Sequence, residues 1–274
     1  MEDRDLSVYS KSNRALTISD LQAMKVNGEK ISCLTAYDAS FSALLDNVGI
    51  DVLLVGDSLG MVIQGHASTL PVTVEDMVYH SKHVAQARKR AFIVTDMPFA
   101  SYASPLLALQ TATRLIQVGA AQMIKLEGAK LDTIRFLVDQ GISVCGHLGL
   151  LPQSINQLGG FKVQGREASE AQRLLEEAEK IQQAGASLLV LECIPASLAA
   201  DICQRLTIPV IGIGAGAACD GQILVVYDIL GISFGPRPRF SKDFMVGAAG
   251  IEDAVNRYRQ AVKSQQFPST EHCY

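Results

Sequence analysis

The sequence predicts one α/β domain, a TIM (β/α)8 barrel with an extra helix ahead of the first strand. Three observations carry that expectation. Short, β-branched apolar runs alternate with helical patterns along nearly the whole chain. Those runs are apolar on successive residues, so both faces are buried, as in a parallel sheet covered by helices. The chain is 274 residues long, close to the ~250 that eight βα units require. An open, doubly wound sheet is the alternative architecture.

The elements follow in order. "TISDLQAMKVNG" (17–28) reads as the extra N-terminal helix. The strands are "ISCLTAY" (31–37), "DVLLVGD" (51–57), "FIVTDMP" (92–98), "MIKLEG" (123–128), "SVCGHLG" (143–149), "SLLVLECIP" (187–195) and "PVIGIGAG" (209–216). Helical patterns separate them, and four run into a glycine just before the next strand: Gly49, Gly119, Gly141 and Gly185. Glycine there offers the left-handed residue that closes a helix. The eighth run, "GQILVVYDILG" (221–231), has a length that suits strand or helix; a strand completes the eight. "VGAAGIEDAVNRYRQAVKSQ" (246–265) is the closing helix. With no composition break and no repeat, the expected organisation is an N-terminal tail at 1–16, one barrel domain at 17–266 and a C-terminal tail at 267–274.

Composition narrows the function. A net charge of -4 without a basic cluster lacks the electrostatic footprint of a nucleic-acid binder. No apolar run approaches the ~20 residues that span a bilayer, so no membrane partner is expected. The first residues are polar and mixed in charge, without the apolar stretch of a secretory signal. The six cysteines form no C-x-x-C pair and several lie in apolar runs, which fits buried thiols in a reducing compartment, the cytoplasm.

Polar residues interrupt the apolar runs at one recurring place. Asp57, Asp96, Glu127, His147 and Glu192 fall at the C-terminal ends of strands two to six. A lone acid at a strand end is most often a helix cap. Five polar side chains on adjacent strands roughly 4.8 Å apart would instead share one rim, on the face where such barrels carry active sites. Acids converging there repel unless a cation or a proton sits among them. Asp57 and Asp96 offer hard oxygens suited to Mg²⁺. Two long connections follow strand ends on the same face, "SLGMVIQGHASTLPVT" (58–73) and "LLPQSINQLGGFKVQGRE" (150–167). Loops of that length are usually binding loops or lids.

Each of these residues has a plainer reading. Lys125 and Glu127, one residue apart, share a strand face and would serve equally as a buried structural pair. Glu192 lies in an apolar strand, where desolvation would raise its pKa towards that of a general base; alternatively it pairs with a neighbouring Lys or His. His147 alone would be a satisfied core histidine, but its place at the shared rim tips it towards hydrogen-bonding a substrate. His80 and His83, at i and i+3 of a helix, read as a solvated face, and no zinc spacing exists. "GIGAG" (212–216) has the wrong spacing for a dinucleotide fingerprint and reads as a tight backbone loop.

Longer motifs carry a resemblance. "TAYDASFSALLDNVGIDVLLVGDSLGMVIQGHASTLPVTVEDM", "DMPF", "KLEG", "VCGHLGLLPQSIN", "GGFKVQGR", "LLVLECIP" and "PVIGIGAGAACDGQILVVYDILG" together resemble the ketopantoate hydroxymethyltransferase family, in order, from about Thr17 to Phe244. Ala129 and Phe161 depart from residues common in that family, and the two ends do not match. The resemblance implies a barrel of the phosphoenolpyruvate/pyruvate type. It implies transfer of a hydroxymethyl group from 5,10-methylenetetrahydrofolate to 3-methyl-2-oxobutanoate, giving 2-dehydropantoate through a Mg²⁺-stabilised enolate, in pantothenate synthesis. It implies one Mg²⁺ per subunit, held by Asp57 and Asp96, with Glu127 completing the shell through water. Ser58 and Lys125 would bind the keto acid, and Glu192 would be the base. The assembly would be a homo-oligomer, expected to be a decamer. A metal-dependent C–C lyase or aldolase on the same barrel is the nearest rival. A non-catalytic keto-acid or metal binder is a more distant one, and a base at Glu192 argues against it.

Overall fold

A computed structural model of the protein describes residues 14–232, 235 and 237–274. Eight parallel strands close into a barrel in sequence order: β1 (Ile31–Thr35), β2 (Val52–Val55), β3 (Phe92–Asp96), β4 (Met123–Glu127), β5 (Val144–Gly149), β6 (Leu188–Glu192), β7 (Val210–Ile213) and β8 (Gly221–Leu224). β8 pairs back onto β1, with Cys33 opposite Ile223. The open doubly wound sheet is thereby excluded.

The main outer helices are α2 (Ala39–Val48), α4 (Val74–Ala87), α5 (Pro105–Gln117), α6 (Leu131–Asp139), α8 (Ala168–Gln183), α9 (Ala196–Arg205) and α11 (Ile251–Lys263). One-turn helices α3 (Leu59–Val62), α7 (Ile155–Leu158) and α10 (Val226–Ile229) lie in connections. Local chemistry sets several starts. Asp38 accepts the Phe41 N–H to cap α2, Thr73 and Asp76 form a capping box on α4, and Ser104 caps α5 ahead of Pro105.

Alternation along each strand sorts the core into two layers. Val52 and Leu54, Phe92 and Val94, Leu188 and Val190 point into the barrel; Leu53, Val55, Ile93, Leu189 and Leu191 point out to the helices. The extra helix α1 (Ile18–Val26) closes the floor, since Leu21 and Met24 join the inner layer. It is tied there by Leu16, whose N–H donates to the Arg90 carbonyl (2.7 Å) and whose carbonyl accepts from Gln122 Nε2 (3.1 Å).

Three details differ from the sequence expectation. The eighth apolar run is half strand and half helix: β8 ends at Leu224, and Val226 N–H turns to Thr35 Oγ1 (2.9 Å) to begin α10. Gly49, Gly141 and Gly185 have positive φ, but Gly119 does not; Ala120 takes the left-handed position (φ 62° at Ala100, 57° at Ala120). Gly119 is required for closeness, because a Cβ there would lie 2.5 Å from the Leu115 carbonyl oxygen and 3.2 Å from Ser81. The expected N-terminal tail falls largely outside the described residues. At the other end, residues after α11 fold back on the barrel, with Phe267 in the outer core and Tyr274 at the barrel mouth.

Candidate active site

The barrel mouth opens into a cavity of ≈ 710 Å³. Its floor follows from strand parity. Val94, Met123, Cys145 and Val190 fill the inner layer, so the side chains two residues further along, Asp96, Lys125, His147 and Glu192, point the same way and form the next layer up. Glu127 continues the β4 face, and Asp57 lies two residues past the end of β2. All six line the cavity, as does Ser58.

These groups touch one another in a chain. Asp57 N–H donates to Asp96 Oδ2 at 3.1 Å, and Asp96 Oδ1 stands 2.9 Å from Lys125 Nζ. Lys125 Nζ is 3.3 Å from His147 Nδ1. His147 Nδ1 lies 3.7 Å from Glu127 Oε1, and His147 Nε2 lies 3.2 Å from Glu192 Oε2. Lys125 therefore pairs with Asp96 across the β3–β4 register rather than with Glu127. The Glu192–His147 proximity that the sequence left open is present. Ser58 Oγ lies 2.8 Å from the Tyr37 hydroxyl. Gly149, at φ 94°, lets β5 and β6 meet beneath Glu192, since a Cβ there would fall 2.1 Å from the Glu192 carbonyl oxygen.

Burial and crowding shift the charges. Burial, then the neighbouring Asp96, raises the Asp57 carboxyl. Burial also raises Glu127 against the pull of Lys125. Glu192 is pushed up to about 7 by burial, with Lys125 opposing. Burial works against the Lys125 ammonium, but Asp96, Glu127 and Asp57 outweigh it and raise its pKa. His147 is driven well below its ordinary value by burial and then by Lys125. A neutral imidazole beside a raised carboxyl is the kind of perturbed constellation that marks functional sites.

Two residues of the floor were not legible beforehand. Gln153, in a 3₁₀ turn (Pro152–Ser154) of the long loop after β5, donates from Nε2 to Asp57 Oδ2 (2.8 Å) and to the Met97 carbonyl (2.9 Å). Its backbone N–H donates to Glu127 Oε2 (3.1 Å). The Tyr102 hydroxyl donates to Gln153 Oε1 and accepts the Glu127 N–H at 3.4 Å. The loop length was the only signal; nothing local separates Gln153 from Gln157. His80 is not simply solvated, because its Nδ1 lies 2.6 Å from the Tyr37 carbonyl.

Among the described residues, no three His, Cys, Asp or Glu side chains form a ready ligand cage. Mg²⁺ does not demand one, as it takes one or two carboxylates and fills its octahedron with water or substrate oxygens. The donor set fits. Asp57 and Asp96 are adjacent, Asp96 Oδ1 has no well-aligned hydrogen bond, and three buried carboxyl groups share a single described ammonium.

The closed eight-stranded barrel with charged groups gathered at its strand ends is a TIM barrel with its candidate site at the C-terminal mouth. Its fold is similar to that of 2,3-dimethylmalate lyase, a PEP mutase/isocitrate lyase superfamily member (TM-score 0.55, 15% identity, 76% of this chain and 80% of that one). It is likewise similar to phosphoenolpyruvate phosphomutase from Streptomyces platensis subsp. rosaceus (TM-score 0.59, 13% identity, 79% and 83%). The sequence is more specific: residues 15–270 match the ketopantoate hydroxymethyltransferase family, and the chain belongs to it. The 3-methyl-2-oxobutanoate hydroxymethyltransferase of Shewanella loihica is 56% identical over 261 residues, 94% of this chain and 98% of the relative. 3-methyl-2-oxobutanoate hydroxymethyltransferase 1 of Burkholderia cenocepacia is 54% identical over 269 residues, 97% and 99%. The match thus runs well past Phe244, where the motifs read from sequence had stopped, through α11 and into the C-terminal segment. No helix among the described residues is long and apolar enough to cross a membrane.

Proposed function

We propose that this enzyme transfers a hydroxymethyl group from 5,10-methylenetetrahydrofolate to 3-methyl-2-oxobutanoate, giving 2-dehydropantoate for pantothenate and coenzyme A synthesis. The observation that carries the reading is a raised carboxyl, Glu192, standing in one cavity with Asp57, Asp96 and Lys125. A binding site alone needs no such base.

Asp57 and Asp96 would hold Mg²⁺, with Glu127 reaching it through water. The bound ion would polarise the keto oxygen and offset the negative charge that builds there. Lys125 and Ser58 orient the keto acid, Lys125 by pairing with its carboxylate. Glu192 Oε2 takes the proton from C3, leaving a carbon nucleophile to form the new C–C bond with the donated one-carbon unit. One water is consumed overall and supplies the product hydroxyl, while tetrahydrofolate leaves. His147, neutral, hydrogen-bonds the substrate and steadies Glu192. Gln153 holds Asp57 and Glu127 in place and closes the loop after β5 over them. A lyase or aldolase would share the floor but not the folate requirement.

The rest of the reading is supported more broadly. Six unpaired cysteines suit a reducing cytoplasm. Tyr79, Phe99, Leu106, Leu107 and Val118, exposed from α4 to the end of α5, suit burial in a homo-oligomer, which the family resemblance makes a decamer. The test is product formation from 3-methyl-2-oxobutanoate and methylenetetrahydrofolate, with and without Mg²⁺. Turnover that ignores the folate would sink the transfer reading and favour the lyase.

A further inference from the structure

The cavity is larger than its acidic floor can use. Its ≈ 710 Å³ falls in the ~300–1,000 Å³ range of clefts that take drug-sized ligands, and a small keto acid would fill a minor part of it. One wall has a chemistry unlike the floor. Phe240 and Tyr274 present rings to the cavity, and the Arg239 guanidinium stands 5.3 Å from the Tyr274 ring centroid. Phe161, 59% exposed, and Lys162 line the same cavity from the loop after β5. None of these five belongs to the acidic floor or to its chain of contacts.

The wall is built rather than draped. Ala196 N–H, at the start of α9, donates to the Tyr274 main-chain oxygen at 2.9 Å, and Arg239 Nε donates to the Glu271 carbonyl at 3.1 Å. The loop after β7 is pressed against it: a Cβ on Gly214 would come within 3.0 Å of both Phe240 and the Tyr274 ring. The Tyr274 side chain also reaches that of Cys193, the residue after the candidate base. Cys193, directly after Glu192, is a non-glycine residue at φ 49°, a strained conformation of the kind concentrated at active sites. Its N–H donates to the Ile213 carbonyl (2.9 Å) and its carbonyl accepts the Gln164 N–H (3.0 Å).

We infer that Arg239, Phe240 and Tyr274, with Phe161 and Lys162, form the subsite for the one-carbon donor, a flat heteroaromatic ring system with an anionic tail. The inference rests on the proposed transfer from a folate. The donated carbon must meet the keto acid over the floor, so the donor's ring has to lie on the wall beside Glu192. Rings stack on Phe240, Tyr274 and Phe161, while Arg239 and Lys162 meet the carboxylates of the tail.

The test is calorimetry with Mg²⁺ present, measuring Kd for tetrahydrofolate and, separately, for 3-methyl-2-oxobutanoate. Tyr274→Ala and Arg239→Ala should each raise the tetrahydrofolate Kd by about tenfold or more, while Tyr274→Phe keeps the ring and stays near native. The keto-acid Kd should stay near native throughout. Equal tetrahydrofolate affinity in the native protein and both alanine variants overturns the subsite and leaves the folate reading standing. A parallel loss of keto-acid affinity also overturns it, by showing that the wall merely holds the mouth together. A native protein that binds the keto acid but not tetrahydrofolate overturns the folate reading itself, and the subsite with it.

Discussion

His147 Nε2 stands 3.2 Å from Glu192 Oε2, at a bent angle, while its Nδ1 lies 3.3 Å from Lys125 Nζ. An ammonium can only donate, so Nδ1 must accept and the ring proton must sit on Nε2, facing Glu192. The contact is too bent to count as a hydrogen bond, but a proton turned towards the carboxylate favours its ionised form, against the burial that raises the carboxyl. Glu192, pushed up to about 7, works as a base only when ionised, so kcat/KM should fall as the pH drops below about 7. Removing the Nε2–H with His147→Phe should move this acid limb to higher pH. A limb that stays where it is would show the contact to be idle.

Glu192→Gln keeps the side-chain size and removes its basicity. In D₂O, with Mg²⁺ and 3-methyl-2-oxobutanoate but no folate, the native enzyme should exchange the C3 hydrogen. The variant should lose that exchange by about 10²–10⁴-fold, the usual worth of a positioned base, while still binding metal and keto acid. Native-rate exchange without product formation would place Glu192 in the transfer step instead.

Asp57→Asn and Asp96→Asn should weaken Mg²⁺ binding and activity together, because each removes a hard anionic oxygen. Metal titration followed by calorimetry reads the first and turnover the second. Full activity of both variants in the presence of a chelator would rule out these aspartates as ligands.

Lys125→Met should raise the KM for the keto acid. It should also expose the strain of the floor, since Lys125 is the one described ammonium facing Asp57, Asp96 and Glu127. Breaking a buried charge pair costs about 3–5 kcal/mol. Asp57 and Glu127 are held above their unfolded values, so that loss should deepen as the pH rises from about 4 through neutrality. Thermal melts at several pH values check it. A folded variant with native KM would make Lys125 a structural partner only.

Asp51, at the opposite end of the barrel, should govern acid stability. It pairs with Lys263 at 2.7 Å and Arg90 at 3.0 Å and accepts from the Ser32 N–H at 3.0 Å. Burial pushes its carboxyl up, but Lys263, the Ser32 amide and Arg90 together pull it below the usual range. A lowered folded pKa stabilises above the unfolded value near 4 and is lost as the pH falls through the folded one. Asp51→Asn should therefore cost about 1.5–3 kcal/mol at neutral pH, and the gap to the native protein should close in acid. A constant gap across that range would refute the assignment.

What the sequence alone determined is what neighbours within a few residues can decide. The two-residue period of the strands separates an inward face from an outward one, and that period set Lys125 and Glu127 side by side and lifted Asp96, His147 and Glu192 above Val94, Cys145 and Val190. Caps such as Thr73 and Ser104, and glycines such as Gly49 and Gly185, mark helix ends by purely local chemistry. The tertiary structure decided who meets whom. Lys125 pairs with Asp96 rather than Glu127 because the β3–β4 register places it there. Gln153 reaches Asp57 from nearly a hundred positions away because the loop after β5 folds inward. Tyr274 meets Gly214 because residues beyond α11 return to the mouth, and the last apolar run breaks after Leu224, where Thr35 captures the Val226 amide. Each of these depends on strand shear and loop path, quantities that belong to the closed barrel and have no local signature along the chain.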